Sequence, residues 1–164
     1  MLLSIVIPTH NRFVYLQRCL EALCAGDGRG LDSEIIVVDD CSKKDVAEKN
    51  KALCAGLQVG YHYCTKNRGA AAARNRGIEL CSGEWIAFLD DDVCAEPGWR
   101  AHCETLLRGL APVIVGVEGT VVATGSGVWD KEVENTIGGL YLSCHILYRR
   151  ETLEAAGRFD EHFS

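Results

Sequence analysis

The chain has no CxxC pair. Its nine cysteines, at positions 19, 24, 41, 54, 64, 81, 94, 103 and 144, show none of the usual zinc or thioredoxin-like spacings. Their odd number excludes a complete disulfide framework. Most sit inside apolar patterns such as LQRCLEALC, so they read as reduced thiols serving as small core residues, which points to a cytoplasmic location. Positive charge is short as well. Seventeen Lys and Arg against 23 Asp and Glu give a net charge of −6, which argues against a nucleic-acid partner. A small anionic ligand stays open, because a site can be locally positive or use a metal. No apolar run approaches the ~20 residues of a transmembrane segment, and the apolar start Met1–Ile7 is cut by Pro8, so neither a membrane span nor a signal peptide is read. There is no internal repeat and no low-complexity tract. What remains is 164 residues, 48% hydrophobic and 24% charged, the composition of one globular domain with a real core.

Within it, Leu2–Ile7 is a continuous apolar, β-branched run that suits a strand buried on both faces, with Pro8 expected to end it. Leu16, Cys19, Leu20 and Leu23 mark an amphipathic helix, closed by the Gly-rich residues 26–30. A second buried strand, 34–38, stops at Asp39 and Asp40. A weaker helix over 45–57 turns Val46, Leu53 and Leu57 inward, and 59–64 reads as a third strand. An alanine-rich helix over 70–81 leads to a fourth strand, 85–89. Pro97 opens a helix with Trp99, Cys103, Leu106, Leu107 and Leu110 inward, and 113–117 reads as a fifth strand. This alternation predicts an α/β fold: an open, mostly parallel sheet with helices on both faces. Residues 119–140 are glycine-rich and lose the rhythm. A strand over 144–148 and a short helix over 151–156 follow.

In such sheets ligands bind beyond the carboxyl ends of the strands. Polar residues collect there: Thr9-His10-Asn11-Arg12, Asp39-Asp40, Asn67-Arg68-Gly69 and Asp90-Asp91-Asp92. The last is the most telling, because three adjacent carboxylates repel one another and no basic residue follows before Arg100. A divalent cation such as Mg²⁺ or Mn²⁺, held by one or two carboxylates and a substrate's phosphates, would relieve that repulsion.

SIVIPTHNR (4–12), EIIVVDDCS (34–42), NRGAAAARNRGIELCSGEWIAFLDDDV (67–93) and ILYRRETLEAAGRFDEHFS (146–164) together resemble a family 2 glycosyltransferase of the GT-A fold. The similarity runs in order over nearly the whole chain. It implies a single domain over 1–164, with a nucleotide-sugar-binding half over 1–118 and a partial acceptor-side region over 119–164. It also implies a nucleotide-diphospho-sugar donor, with UDP-sugar expected, an unidentified saccharide, lipid or protein acceptor, and a metal-dependent, inverting transfer. Thr9, His10 and Asn11 would wrap the nucleotide. Asp40, with Asp39 beside it, would meet the base and ribose. The segment N-x-G-x-x-x-A-R-N, here Asn67, Gly69, Ala73, Arg74 and Asn75, would pack over the nucleotide, with Arg74 as its polar contact. In the D-x-D motif Asp90 would touch the ribose and Asp92 would hold Mn²⁺ or Mg²⁺, while the middle Asp91 has no implied role.

Several bland readings stand beside these. His10 could stack on the base or fill space. Arg74 could pair with Glu79 or Asp39 on the helix surface. Trp85 and Trp99 read as core residues, and Trp129 falls where an acceptor would bind. In the family a Gly/Glu-Asp motif follows the segment matched by Gly157–Glu161, and its acid is commonly the general base. These 164 residues stop before it, so the base is expected outside them, and Asp160 and Glu161 are not assigned to that role. The alternative to catalysis is a module that binds nucleotide sugar and metal only. A sugar nucleotidyltransferase would want a glycine-rich loop with a basic residue directly after the first strand, which Pro8-Thr9-His10-Asn11 does not supply.

Overall fold

The computed structural model describes residues 2–25, 32–122 and 134–162. The closing loop over 26–30 and Trp129 lie outside them. The elements are β1 (Leu3–Thr9), α1 (Phe13–Cys24), β2 (Ser33–Asp39), α2 (Lys44–Gly56), β3 (Gly60–Tyr63), α3 (Ala70–Leu80), β4 (Trp85–Leu89), α4 (Trp99–Gly109), β5 (Gly116–Glu118), β6 (His145–Arg149) and α5 (Arg150–Ala155). The six strands form one sheet in the order β3-β2-β1-β4-β6-β5. β1, β2, β3 and β4 are parallel, and β6 lies antiparallel between β4 and β5.

The sheet is buried on both faces because successive side chains of its apolar strands point opposite ways. Leu3, Ile5 and Ile7 of β1 face α1, α2 and α4, with Leu16, Leu20, Cys54 and Leu107 in the same cluster. Val6 of β1, with Ile36, Val38, Ile86 and Phe88, faces α3 and α5. The second layer is thin. A Cβ on Gly77 would stand 2.3 Å from Cγ1 of Val6, so α3 can lie on β1 only where its residue has no side chain. Cys19, Cys54 and Cys103 are buried, and desolvation pushes each thiol up to about 12, which makes them inert core residues as their apolar setting implies.

Three details depart from the expectation. β1 continues through Pro8, which pairs with Val38. The N–H of Leu3 bonds toward β2 and the carbonyl of Leu2 toward β4, so the even-numbered backbone groups face β4. That neighbour stops pairing at Val6, so the donor that Pro8 lacks has no partner to miss. The fifth strand is shorter and later than 113–117. Val113, Ile114 and Val115 are exposed, and Gly116–Glu118 forms the antiparallel edge. On α4, Leu106 is exposed, and Glu104 takes an inward place, accepting the Asp32 N–H at 3.0 Å.

Candidate functional site

β1 has β2 on one side and β4 on the other, so the chain crosses from one half of the sheet to the other around the ends of these strands. A cleft of about 270 Å³ opens there, lined by residues from the ends of β1, β2 and β4 and from the start of α3. Of the residues singled out from the sequence, Thr9, His10, Asp40, Asn67, Gly69, Arg74, Asp90 and Asp92 line it, and Asn11 and Asp39 do not.

Those two hold the frame. Asp39 has no exposed surface. Its carboxylate accepts the Ser42 N–H at 2.8 Å, the Asn50 side-chain amide at 2.8 Å and the Tyr61 hydroxyl at 2.9 Å. Burial, and then the bond to Asp39, push the Tyr61 phenol above its usual range and keep it a donor. Asn11 sits at φ 57°. Its N–H donates to the Ser42 hydroxyl at 2.7 Å and its side-chain oxygen accepts the Lys43 N–H at 2.8 Å, which ties the turn after β1 to the turn after β2. Asn11 also donates to Nε2 of His10 at 2.7 Å. Nδ1 of His10 lies 2.7 Å from the Asp40 carbonyl and 3.1 Å from the Asn67 amide, so the ring is pinned between the turns after β1 and β2.

Asp40 lines the cleft, but its carboxylate is occupied by backbone. It accepts the N–H of Arg68 at 3.0 Å and of Gly69 at 2.7 Å. Gly69, at φ 87°, starts α3 in a conformation that favours glycine. Asp40 thus seats the start of the helix that carries Arg74. Asn67 donates to the Asp40 carbonyl at 3.2 Å.

The three aspartates are paired, which corrects the electrostatic argument for a metal. Arg74, on α3 and 9% exposed, donates to Asp90 at 2.6 Å rather than pairing with Glu79 or Asp39. Arg12, just beyond β1, reaches Asp92 at 2.6 Å and Asp91 at 3.2 Å. The offsetting cations come from other elements, where local sequence does not reveal them. Asp91 turns inward, is 4% exposed, and accepts the Thr9 hydroxyl at 2.7 Å. Burial raises its pKa, while the Thr9 bond and Arg12 oppose the rise. The folded protein therefore holds this proton more tightly than the unfolded chain does. The stability it contributes is full below the ordinary carboxylate value of 3.8 and is lost as pH rises through the raised pKa. Urea denaturation from pH 3 to 7 should show Asp91→Asn gaining stability relative to the native protein as pH rises through that window.

Asp90 and Asp92 differ from Asp91 in access, their side chains being 37% and 46% exposed. Each gives one carboxylate oxygen to an arginine. Among the described residues there is no group of three or more His, Cys, Asp or Glu able to hold a metal. The donor set fits a hard cation held by one or two carboxylates and completed by phosphate oxygens, not a protein cage.

Sequence reasoning named Arg12 only as part of a polar strand end, placed Asn75 in the segment expected over the nucleotide, and passed over Asn50. Asn75 donates to the Phe159 carbonyl and to Glu161, both at 2.9 Å, and Arg68 pairs with Glu161 at 2.7 Å. Phe159 packs edge-on against Phe88 at 4.9 Å and lies under Arg74. The segment 158–161 is therefore a brace behind the cleft, and Glu161 is committed to it by Asn75 and Arg68. Trp85 is buried in the core. Trp99 packs against it and donates to His145 at 2.9 Å.

This architecture, four parallel strands with an antiparallel pair at one side, is the fold of the GT-A glycosyltransferases. The profile of glycosyl transferase family 2 matches residues 4–155, and the chain belongs to that family. A putative glycosyltransferase, EpsH of Bacillus subtilis (strain 168), is 36% identical over 174 residues, which cover 93% of this chain and 48% of the relative. TarS 1–349 of S. aureus in complex with UDP superposes with a TM-score of 0.78 at 22% identity, over 99% of this chain and 51% of that one. The mannosyltransferase PcManGT of Pyrobaculum calidifontis, in complex with GDP-Man and Mn²⁺, superposes with a TM-score of 0.73 at 16% identity, over 97% and 47%. The chain spans about half the length of each of these proteins.

Proposed function

We propose that this chain is the donor-binding part of a glycosyltransferase that takes a sugar from a nucleotide diphosphate, UDP being the expected nucleotide, and passes it to a hydroxyl acceptor with inversion. The observation that carries the reading is the cleft in which exposed carboxylates from the end of β4 meet Arg74 and the turn at Asn67–Gly69. His10 and Asn67 border the part of the cleft where a base and ribose would lie, and the Arg74–Asp90 pair sets Asp90 for a ribose hydroxyl. Asp92, with Asp90 beside it, would hold Mn²⁺ or Mg²⁺. Bound there, the ion would neutralise the charge that develops on the leaving diphosphate as the glycosidic bond breaks. The protein's own share is to orient the donor and to set these carboxylates beside their arginines. The free thiols favour a reducing, cytoplasmic setting, which includes the cytoplasmic face of a membrane. Among the described residues no helix is long and apolar enough to cross a membrane.

A second reading, binding without turnover by these residues alone, is favoured by one observation. Glu161, an acid of the segment that braces α3, is tied up by Arg68 and Asn75. Calorimetry with UDP and Mn²⁺, followed by an assay for UDP release from a panel of UDP-sugars, separates the two. Binding with release supports transfer chemistry, and binding without release supports the module. No binding of UDP or any other nucleoside diphosphate would sink both.

A further inference from the structure

Two arginines neutralise the acidic turn after β4, and they are held very differently. Arg74 rises from a helix, its side chain is 11% exposed, and it bonds Asp90 from behind. Arg12 sits in the turn after β1, its side chain is 43% exposed, and it spans Asp91 and Asp92 from the open side of the cleft. Its guanidinium also lies 4.6 Å from the centre of the half-exposed Tyr15 ring, a seat that does not depend on Asp92. Arg12 therefore occupies the very carboxylate that the proposed function gives to a divalent cation, and releasing Asp92 does not require it to give up its 3.2 Å contact with the buried Asp91. The Thr9 hydroxyl bonds the other Asp91 oxygen throughout.

We propose that Arg12 is the resident counter-cation of this site: it pairs with Asp92 until Mn²⁺ or Mg²⁺ displaces it, and the released guanidinium then binds the donor's diphosphate. This inference rests on the reading of Asp92 as metal ligand. A guanidinium and a divalent ion compete for the same oxygen and repel each other across a few ångströms. A planar, forked donor suits phosphate oxygens better than a point charge would. Metal and diphosphate then favour each other's binding, since each draws a partner away from the Arg12–Asp92 pair, and the coupling is reciprocal.

The test is Mn²⁺ affinity, measured by calorimetry with and without UDP, in the native protein and in Arg12→Gln, Arg12→Lys and Asp92→Ala. Arg12→Gln should bind Mn²⁺ alone about 3- to 10-fold more tightly, the range set by losing an exposed ion pair and a nearby positive charge. Arg12→Lys, which keeps the charge, should stay near the native value. The gain in Mn²⁺ affinity on adding UDP should shrink in Arg12→Gln. Equal or weaker Mn²⁺ binding by Arg12→Gln, with Asp92→Ala abolishing it, overturns the role of Arg12 alone. Mn²⁺ binding that survives in Asp92→Ala overturns the metal site itself. Should Arg12→Gln fold poorly, Mg²⁺ titration of the native protein reads the same event. The Arg12 Nε–H resonance, assigned by its absence in Arg12→Lys, should move as the ion binds, and a resonance that stays put refutes displacement.

Discussion

Asp39→Ala should destabilise the domain by about 3–5 kcal/mol, a large part of the stability of a chain this size. The substitution leaves three donors without their acceptor: the Ser42 N–H, the Asn50 amide and the Tyr61 hydroxyl. Each is held inside the protein or at its margin, and each loses the stabilisation that an ionised acceptor gives. Asn50 is fully buried and cannot turn to water, and its side-chain oxygen already lacks a partner. Chemical denaturation gives the number directly. The result also decides what Asp39 does. A residue whose main task is to touch a nucleotide would, when truncated, weaken nucleotide binding and leave the denaturation midpoint within about 0.5 kcal/mol of native. A residue that ties β2, α2 and β3 together lowers the midpoint in the absence of any ligand.

The contrast between Asp39 and Asp40 explains what the sequence could and could not disclose. Two adjacent acids at a strand end are visible as a pattern. Which one faces the core depends on the pleat and on partners 11 to 29 residues away. The sheet was legible for a simpler reason. β1, β2 and β4 are unbroken apolar runs, and only burial on both faces suits such runs. The run at 113–117 follows the same rule and breaks it, because Val113–Val115 are exposed and the ladder starts only at Gly116. Composition identifies a strand former but not a strand at a sheet's edge. The cleft was legible as a set of strand ends, since a parallel sheet delivers them to one rim. The pairing within it was not. Arg12 and Arg74 stand 80 and 16 residues from the carboxylates they neutralise, so a local count of charge around Asp90–Asp92 sees repulsion where the fold has already compensated it. The case for a metal accordingly moves from charge balance to access: two carboxylates open to the cleft and one closed.

That difference in access sets the second prediction. Asp92→Ala should weaken Mn²⁺ binding at least 10-fold and, where turnover is measured, slow transfer by about 10²- to 10³-fold, the size of losing one preorganised stabiliser of a developing negative charge. Asp91→Ala should act by another route. Asp91 is almost wholly buried against Thr9 and Arg12, so its removal orphans the Thr9 hydroxyl and half of the Arg12 grip, and the effect falls on stability and on the shape of the turn. Asp90 lies between the two, since its bond to a nearly buried Arg74 makes it both a cleft-facing group and an anchor, and Asp90→Ala should lower nucleotide affinity together with stability. Mn²⁺ titration followed by electron paramagnetic resonance, run beside urea denaturation, resolves the three. Loss of Mn²⁺ binding in Asp91→Ala but not in Asp92→Ala would mean that the turn presents its middle carboxylate to the ion, and the Thr9–Asp91 bond would then have to break on binding. The buried, hydrogen-bonded geometry opposes that: moving Asp91 outward would strip it of its hydroxyl donor, whereas Asp92 has only an exposed arginine to release.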